Sequence, residues 1–206
     1  MIRLAAPLAA LAALALSACS GAEEVHHVHA AAEPSGTEQR SLVVLSDQPM
    51  LDQHGETRRL KSDVAGQKII VVDFIFTSCQ TICPVTTALL AESHRRLADV
   101  PAEDLAFVSM SIDANVDTPE RLAAFAGRHR ANWTFLTGEK RIMDEALVWL
   151  NAYATNPEDH AAMILIGDGA TGSFSRIYGL PDPVFVEARV RELLANRADY
   201  ASLHQH

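Results

Sequence analysis

Ile69-Ile70-Val71-Val72-Asp73-Phe74-Ile75-Phe76-Thr77-Ser78-Cys79-Gln80-Thr81-Ile82-Cys83-Pro84 passes from a nearly unbroken β-branched and aromatic run into two cysteines four residues apart. A continuous apolar run of this length predicts a central strand buried on both faces. The apolar positions that follow, Val85, Ala88, Leu89, Leu97 and Ala98, fit a helix, and Pro84 is tolerated in its first turn. Both thiols therefore fall where a strand ends and a helix opens, beside unpaired N–H groups and the positive end of the helix dipole. Such a setting stabilises thiolates, so both cysteines are expected to ionise readily. Residues four apart on a helical turn have Cβ atoms about 5–6 Å apart. The pair could clamp one soft metal ion or, after a small shift, close a disulfide. A purely structural disulfide is the plain alternative, although so short a loop gains little from cross-linking.

Outward from this stretch the chain alternates strands and helices. Leu105 to Ile112 reads as a second central strand. Asp117-Thr118-Pro119-Glu120 reads as a helix start, with Asp or Thr as the cap and Leu122, Phe125 and Ala126 on the apolar face. Further expectations are a helix from Ile142 to Tyr153, a strand from Ala162 to Ile166, a turn at Asp168 to Gly172, a strand from Ser173 to Tyr178 and a helix from about Pro183 to Ala195. Upstream, Pro49 to Thr57 reads as a hairpin around His54-Gly55. The pattern argues an α/β fold: a three-layer α/β sandwich with a central sheet and an N-terminal hairpin, without internal repeats or a second domain. With 206 residues, 49% of them hydrophobic, the core needs no disulfide scaffold. The net charge of -9 and the lack of any Lys/Arg cluster exclude a nucleic-acid surface.

Residues 1–18 have the pattern of an export signal: Arg3, an apolar stretch from Leu4 to Leu16, and small residues before Cys19. The stretch is shorter than the roughly 18–20 residues that cross a bilayer as a helix. Leu16-Ser17-Ala18-Cys19 resembles a bacterial lipobox, which makes Cys19 the lipidated N-terminus of the mature chain; cleavage at an ordinary signal near Ala18 is the alternative. Removing residues 1–18 leaves 16 basic against 26 acidic residues and only Cys79 and Cys83 unassigned. Residues 19–40 read as a flexible tether. Its His26, His27 and His29 could capture a soft or borderline metal ion or simply be solvated linker chemistry. The expected organisation is a signal at 1–18, this tether, a domain at 41–198 and a tail at 199–206 holding His204 and His206.

Four motifs in order resemble the Sco/SenC copper-binding proteins of the thioredoxin-like superfamily, over about residues 42–196. They are Phe76 to Pro84, Ser111-Ile112-Asp113-Ala114-Asn115-Val116-Asp117-Thr118-Pro119, Trp133-Thr134-Phe135-Leu136-Thr137-Gly138, and Asp159-His160 before a strand. The resemblance implies a thioredoxin-like fold with a mixed sheet. It also implies one copper held by Cys79, Cys83 and His160. Two thiolates and an imidazole suit Cu(I) and can also hold Cu(II), whereas a structural zinc site wants a fourth ligand that is not evident. The family is associated with delivering copper to the CuA site of cytochrome c oxidase, or with reducing its cysteines. The implied partners are therefore a copper acceptor protein such as the oxidase subunit carrying CuA, a protein thiol reductant, and a membrane through the lipid anchor. The implied location is the bacterial cell envelope, facing the periplasm. Gln80-Thr81-Ile82 departs from the Pro-Asp-Val of many members, so copper handling is better supported than any particular recipient.

Thioredoxin-like oxidoreductases carry a cis-proline in the loop facing their cysteines. Asp159-His160-Ala161 has no proline after the histidine, as though a ligand replaced a substrate-docking feature. Asp113 and Asp117 could lie beside the site as supporting acceptors or on a docking face, with a helix cap the plainer role for Asp117. Met50, Met110 and Met163 read as core, and His54, His94 and His129 as surface or turn residues. A copper metallochaperone is thus the leading reading. The alternative is a thiol-disulfide oxidoreductase, in which Cys79 and Cys83 are catalytic and one of them attacks an acceptor disulfide. A peroxiredoxin-like peroxidase ranks third, because Thr77-Ser78-Cys79 lacks the Pro-Thr-Cys setting of its nucleophile.

Overall fold

The structure, a computed structural model, describes residues 38–203; the signal, Cys19, His26, His27, His29, His204 and His206 lie outside them. An eight-stranded mixed sheet is built from β1 (Glu38–Leu42), β2 (Pro49–Asp52), β3 (Thr57–Arg59), β4 (Ile69–Ile75), β5 (Leu105–Ser111), β6 (Thr134–Thr137), β7 (Met163–Asp168) and β8 (Ser173–Tyr178). Its order is β1-β8-β7-β4-β5-β6-β2-β3. β4, β5 and β6 run parallel, the two crossovers being α1 (Ile82–Arg96) and α2 (Pro119–His129). α3 (Lys140–Trp149) and α4 (Pro183–Leu203) complete the helices.

All seven residues of β4 are buried, and they alternate between two cores. Ile70, Val72 and Phe74 join Met143 and Leu147 of α3 on one face. Ile69, Val71 and Ile75 join Leu90 of α1, Phe125 of α2 and Val186 of α4 on the other. Helices on both faces of the sheet make the three layers, and they explain why β4 shows no polar alternation. The fold is thioredoxin-like.

Several element boundaries differ from expectation. Glu38 to Arg40, read as tether, pair with β8 as an edge strand whose residues are mostly exposed and so carry no alternating signal. β6 is four residues long, too short to announce itself by periodicity. α3 stops at Trp149 because Asn151 takes a left-handed conformation, φ 48°, while the Arg176 guanidinium, reaching from β8, donates to the carbonyl oxygens of Leu150 and Asn151. α4 continues through Leu203, into the stretch read as a tail. Thr118, not Asp117, caps α2 by accepting the Arg121 N–H, with Pro119 in the first turn.

The antiparallel pairing of β7 with β4, Asp73 opposite Ile164, returns the chain to the end of the sheet where β4 finishes. The residues after β4, the β5–α2 loop and the segment before β7 therefore meet at one pole.

Candidate metal centre

The two cysteines stand on either side of the start of α1. Cys79 belongs to the turn that leaves β4, closed by its N–H donating to the Phe76 carbonyl at 3.1 Å. Cys83 lies in the first helical turn and donates its N–H to the Cys79 sulfur at 3.3 Å. The sequence spacing thus brings the pair together as expected. Both are buried free thiols among the apolar residues beneath α1.

They do not ionise alike, which corrects the expectation that both would do so readily. For Cys79, burial opposes ionisation, but hydrogen bonds from the Cys83 thiol and N–H and from Thr81 outweigh it and hold the thiol below its ordinary range. For Cys83, burial dominates; donation to Cys79 and repulsion from the ionised partner add to it, and the thiol is pushed up to about 12. The helix N-terminus serves one sulfur, and the other acts as its donor.

His160 follows a short 3-10 turn, Pro157–Asp159, and precedes β7. Its ring packs on Phe74 with centroids 5.5 Å apart, and burial lowers its pKa, favouring the neutral imidazole that can ligate. Cys83 and His160 line one cavity of about 20 Å³, walled by Phe74, Phe76, Ile112 and Met163. That is room for a single water or ion rather than an organic substrate. Among the described residues, no three His, Cys, Asp or Glu side chains already stand close enough to hold a metal together. The three expected ligands therefore share a pole without being assembled around one point. A larger cavity of about 600 Å³ opens between the β2–β3 turn and α2, with no cysteine or methionine in its walls. Its size does not make it the reactive site.

Asp117 is buried beside the cysteine turn and accepts hydrogen bonds from Thr77 and Ser111, whereas Asp113 is half-buried with its carboxyl raised by burial and by Asp117. Met50, Met110 and Met163 are core residues, as expected. His54 is exposed in the hairpin turn, but His94 is half-buried against Phe107 and Trp133. Sequence reading missed Thr77 and Asp73. The first stands inside the Phe76 to Pro84 motif with no role assigned to it from sequence; the second is a lone acid inside an apolar strand, a signal present in the sequence.

A thioredoxin-like domain with a free, unequally acidic dithiol at the end of its central strand and an imidazole at the same pole defines a class of thiol and metal-handling proteins. Within it the chain belongs to the SCO1/SenC family, whose model matches residues 38–194. It is 32% identical to the SCO1 protein homolog of Bacillus subtilis over 124 residues, 57% of this chain and 63% of that one. It is 34% identical over 103 residues to a Stutzerimonas stutzeri protein named for copper binding, 48% of this chain and 44% of the relative. The matches thus span less than two thirds of these curated relatives. The crystal structure of a SCO1/SenC family lipoprotein from Bacillus anthracis superposes with a TM-score of 0.63 at 26% identity, covering 76% of this chain and 96% of the other.

Proposed function

We propose that this protein binds one copper ion through Cys79, Cys83 and His160 and passes it to an acceptor thiol protein from a bacterial membrane, facing the periplasm. The observation that carries this reading is the sharing of one ion-sized cavity by Cys83 and His160, with Cys79 in hydrogen-bond contact with Cys83. Two thiolates and a neutral imidazole favour Cu(I), and this donor set also accommodates Cu(II). The copper-binding relative and family membership support the metal. The lipoprotein relative and the lipobox at Cys19 support anchoring at the cell envelope. The family resemblance points to the CuA subunit of cytochrome c oxidase as acceptor. Capture requires the segment before β7 to bring His160 towards Cys79, since the three groups are not assembled beforehand.

Competition between the full mature chain and a Cu(I) chelator, without oxygen, tests the reading. One equivalent should bind tightly. Cys79→Ala, Cys83→Ala and His160→Ala should each weaken it by more than the roughly 10–100-fold that loss of a supporting residue costs. Cys19→Ser should leave the tight site unchanged. Full affinity in any of the three ligand variants contradicts the ligand set.

One observation favours a second activity of the same pair. A thiol held below its ordinary range beside one pushed up to about 12 gives a nucleophile and a resolving partner, the arrangement a thiol-disulfide oxidoreductase needs. Its acceptor would be the oxidised cysteine pair of the copper recipient, and a separate protein thiol reductant would restore the dithiol. A Cys83→Ala variant that traps a mixed disulfide through Cys79, while His160→Ala retains turnover, would establish that role.

A further inference from the structure

We propose that Asp117 is a positioning residue for Cys79: its buried carboxylate clamps Thr77, two residues before the thiol, and so fixes where Cys79 meets Cys83. The inference rests on the reading of Cys79 and Cys83 as the working pair.

Asp117 is 2% exposed and is not needed as a helix cap, since Thr118 fills that place. Its carboxylate accepts the Thr77 N–H at 3.0 and 3.2 Å, the Thr77 hydroxyl, and the Ser111 hydroxyl at 2.7 Å. The backbone of Asp117 is tied down as well. The Asp117 N–H donates to the Asp113 carbonyl at 2.9 Å, and its carbonyl accepts the Thr137 hydroxyl at 2.7 Å. Arg121 adds a bond from α2 to the Thr77 hydroxyl at 3.0 Å. The clamp therefore ties the exit of β4 to the ends of β5 and β6. From Thr77 only Ser78 intervenes before Cys79, and the 3.1 Å bond from Cys79 N–H to the Phe76 carbonyl closes that turn. A buried carboxylate that takes two donors from the exit of β4 and a third from the end of β5 removes the freedom that the thiol turn would otherwise have. Pre-ordering the turn lowers the entropy lost when the two sulfurs join, whether through a metal or through each other.

The test uses the full mature chain and two equilibria. In the first, the dithiol reduces glutathione disulfide: Cys79 and Cys83 lose two electrons and two protons, an intrachain disulfide forms, and two glutathione thiols are released. The second is Cu(I) competition against a chelator. Asp117→Asn turns an amide NH2 towards donors, and Thr77→Val deletes the clamped hydroxyl; each should lower both equilibrium constants about tenfold. Thr77→Ser keeps the hydroxyl and should retain wild-type constants. Ile166→Val, a core truncation in β7, should lower the melting temperature and move neither constant. Thr77→Val keeps the test decisive if Asp117→Asn does not fold. Unchanged constants in Thr77→Val and Asp117→Asn, with only the melting temperature lowered, would overturn the proposal and leave Asp117 a loop anchor. Wild type binding no Cu(I), with the glutathione constant still falling in the variants, would sink the copper reading and leave this inference standing.

Discussion

Cys79 and Cys83 share one turn yet ionise in opposite directions, and this asymmetry governs the chemistry at the residue scale. With Cys79 below its ordinary range and Cys83 at about 12, alkylation near neutral pH should modify Cys79 first and leave Cys83 largely unreacted, as peptide mapping would show. Equal labelling of the two would contradict the assignment. On the proposed ligand set, metal capture removes the Cys83 proton, so each unit rise in pH through neutrality should strengthen apparent Cu(I) affinity by at least about tenfold. Competition titrations at three pH values check the slope, and a flat profile would mean that Cys83 stays protonated and is no ligand. The identity of the pair was legible from Thr-Ser-Cys-x-x-x-Cys-Pro after an apolar strand. Its inequality was not, because it depends on which sulfur accepts the N–H of the other residue.

At the scale of single elements, β4 and β8 each bury an ionisable group. Asp73 of β4 is 1% exposed, accepts one hydroxyl bond from Ser109, leaves its second oxygen without a partner, and is pushed up to about 7 by burial. Its folded value lies above its unfolded one, so the native state holds an extra proton between about pH 4 and pH 7, and stability falls as pH rises through that window. The loss is on the order of 4 kcal/mol for this shift. Asp73→Asn should flatten that fall in chemical denaturation measured from pH 4 to pH 7; an unaltered profile would show Asp73 to be ionised throughout. Arg176 of β8, 3% exposed, donates to the Leu150 carbonyl at 2.8 Å and the Asn151 carbonyl at 3.2 Å, holding the end of α3. Arg176→Leu should cost about 2–4 kcal/mol, or roughly 5–15 °C in melting temperature. An unchanged melting temperature would show that these carbonyls find other donors. Most of the elements were legible, since β4, β5, β7 and β8 carry apolar patterns and the β2–β3 hairpin is marked by its His54-Gly55 turn. Each miss has its own physical reason: β1 is an exposed edge held by its pairing with β8, β6 has only four residues, and α3 is ended by a distant arginine.

At the scale of the whole molecule, the parallel β4–β5–β6 unit and the returning β7 bring Cys79, Cys83, His160 and Asp117 to one pole from sequence positions up to 81 apart. The three-layer class could be read from the order of elements. The incomplete convergence of Cys79, Cys83 and His160 could not, because it depends on how the segment before β7 packs on Phe74. Anchoring also belongs to this scale. Several acyl chains on Cys19, at about 0.8 kcal/mol per buried CH₂, would keep the mature protein on a membrane, so Cys19→Ser should move it into the soluble fraction. A wild-type protein already wholly soluble would contradict the lipobox reading. The central claim is that one copper is held by two sulfurs and one imidazole drawn from three separate positions. X-ray absorption on the Cu(I)-loaded chain tests it most directly by counting ligand atoms. The predicted result is two sulfurs and one nitrogen, with one sulfur lost in Cys79→Ala or Cys83→Ala and the nitrogen lost in His160→Ala. A sphere without nitrogen, or one unchanged by the loss of any of the three residues, would contradict it.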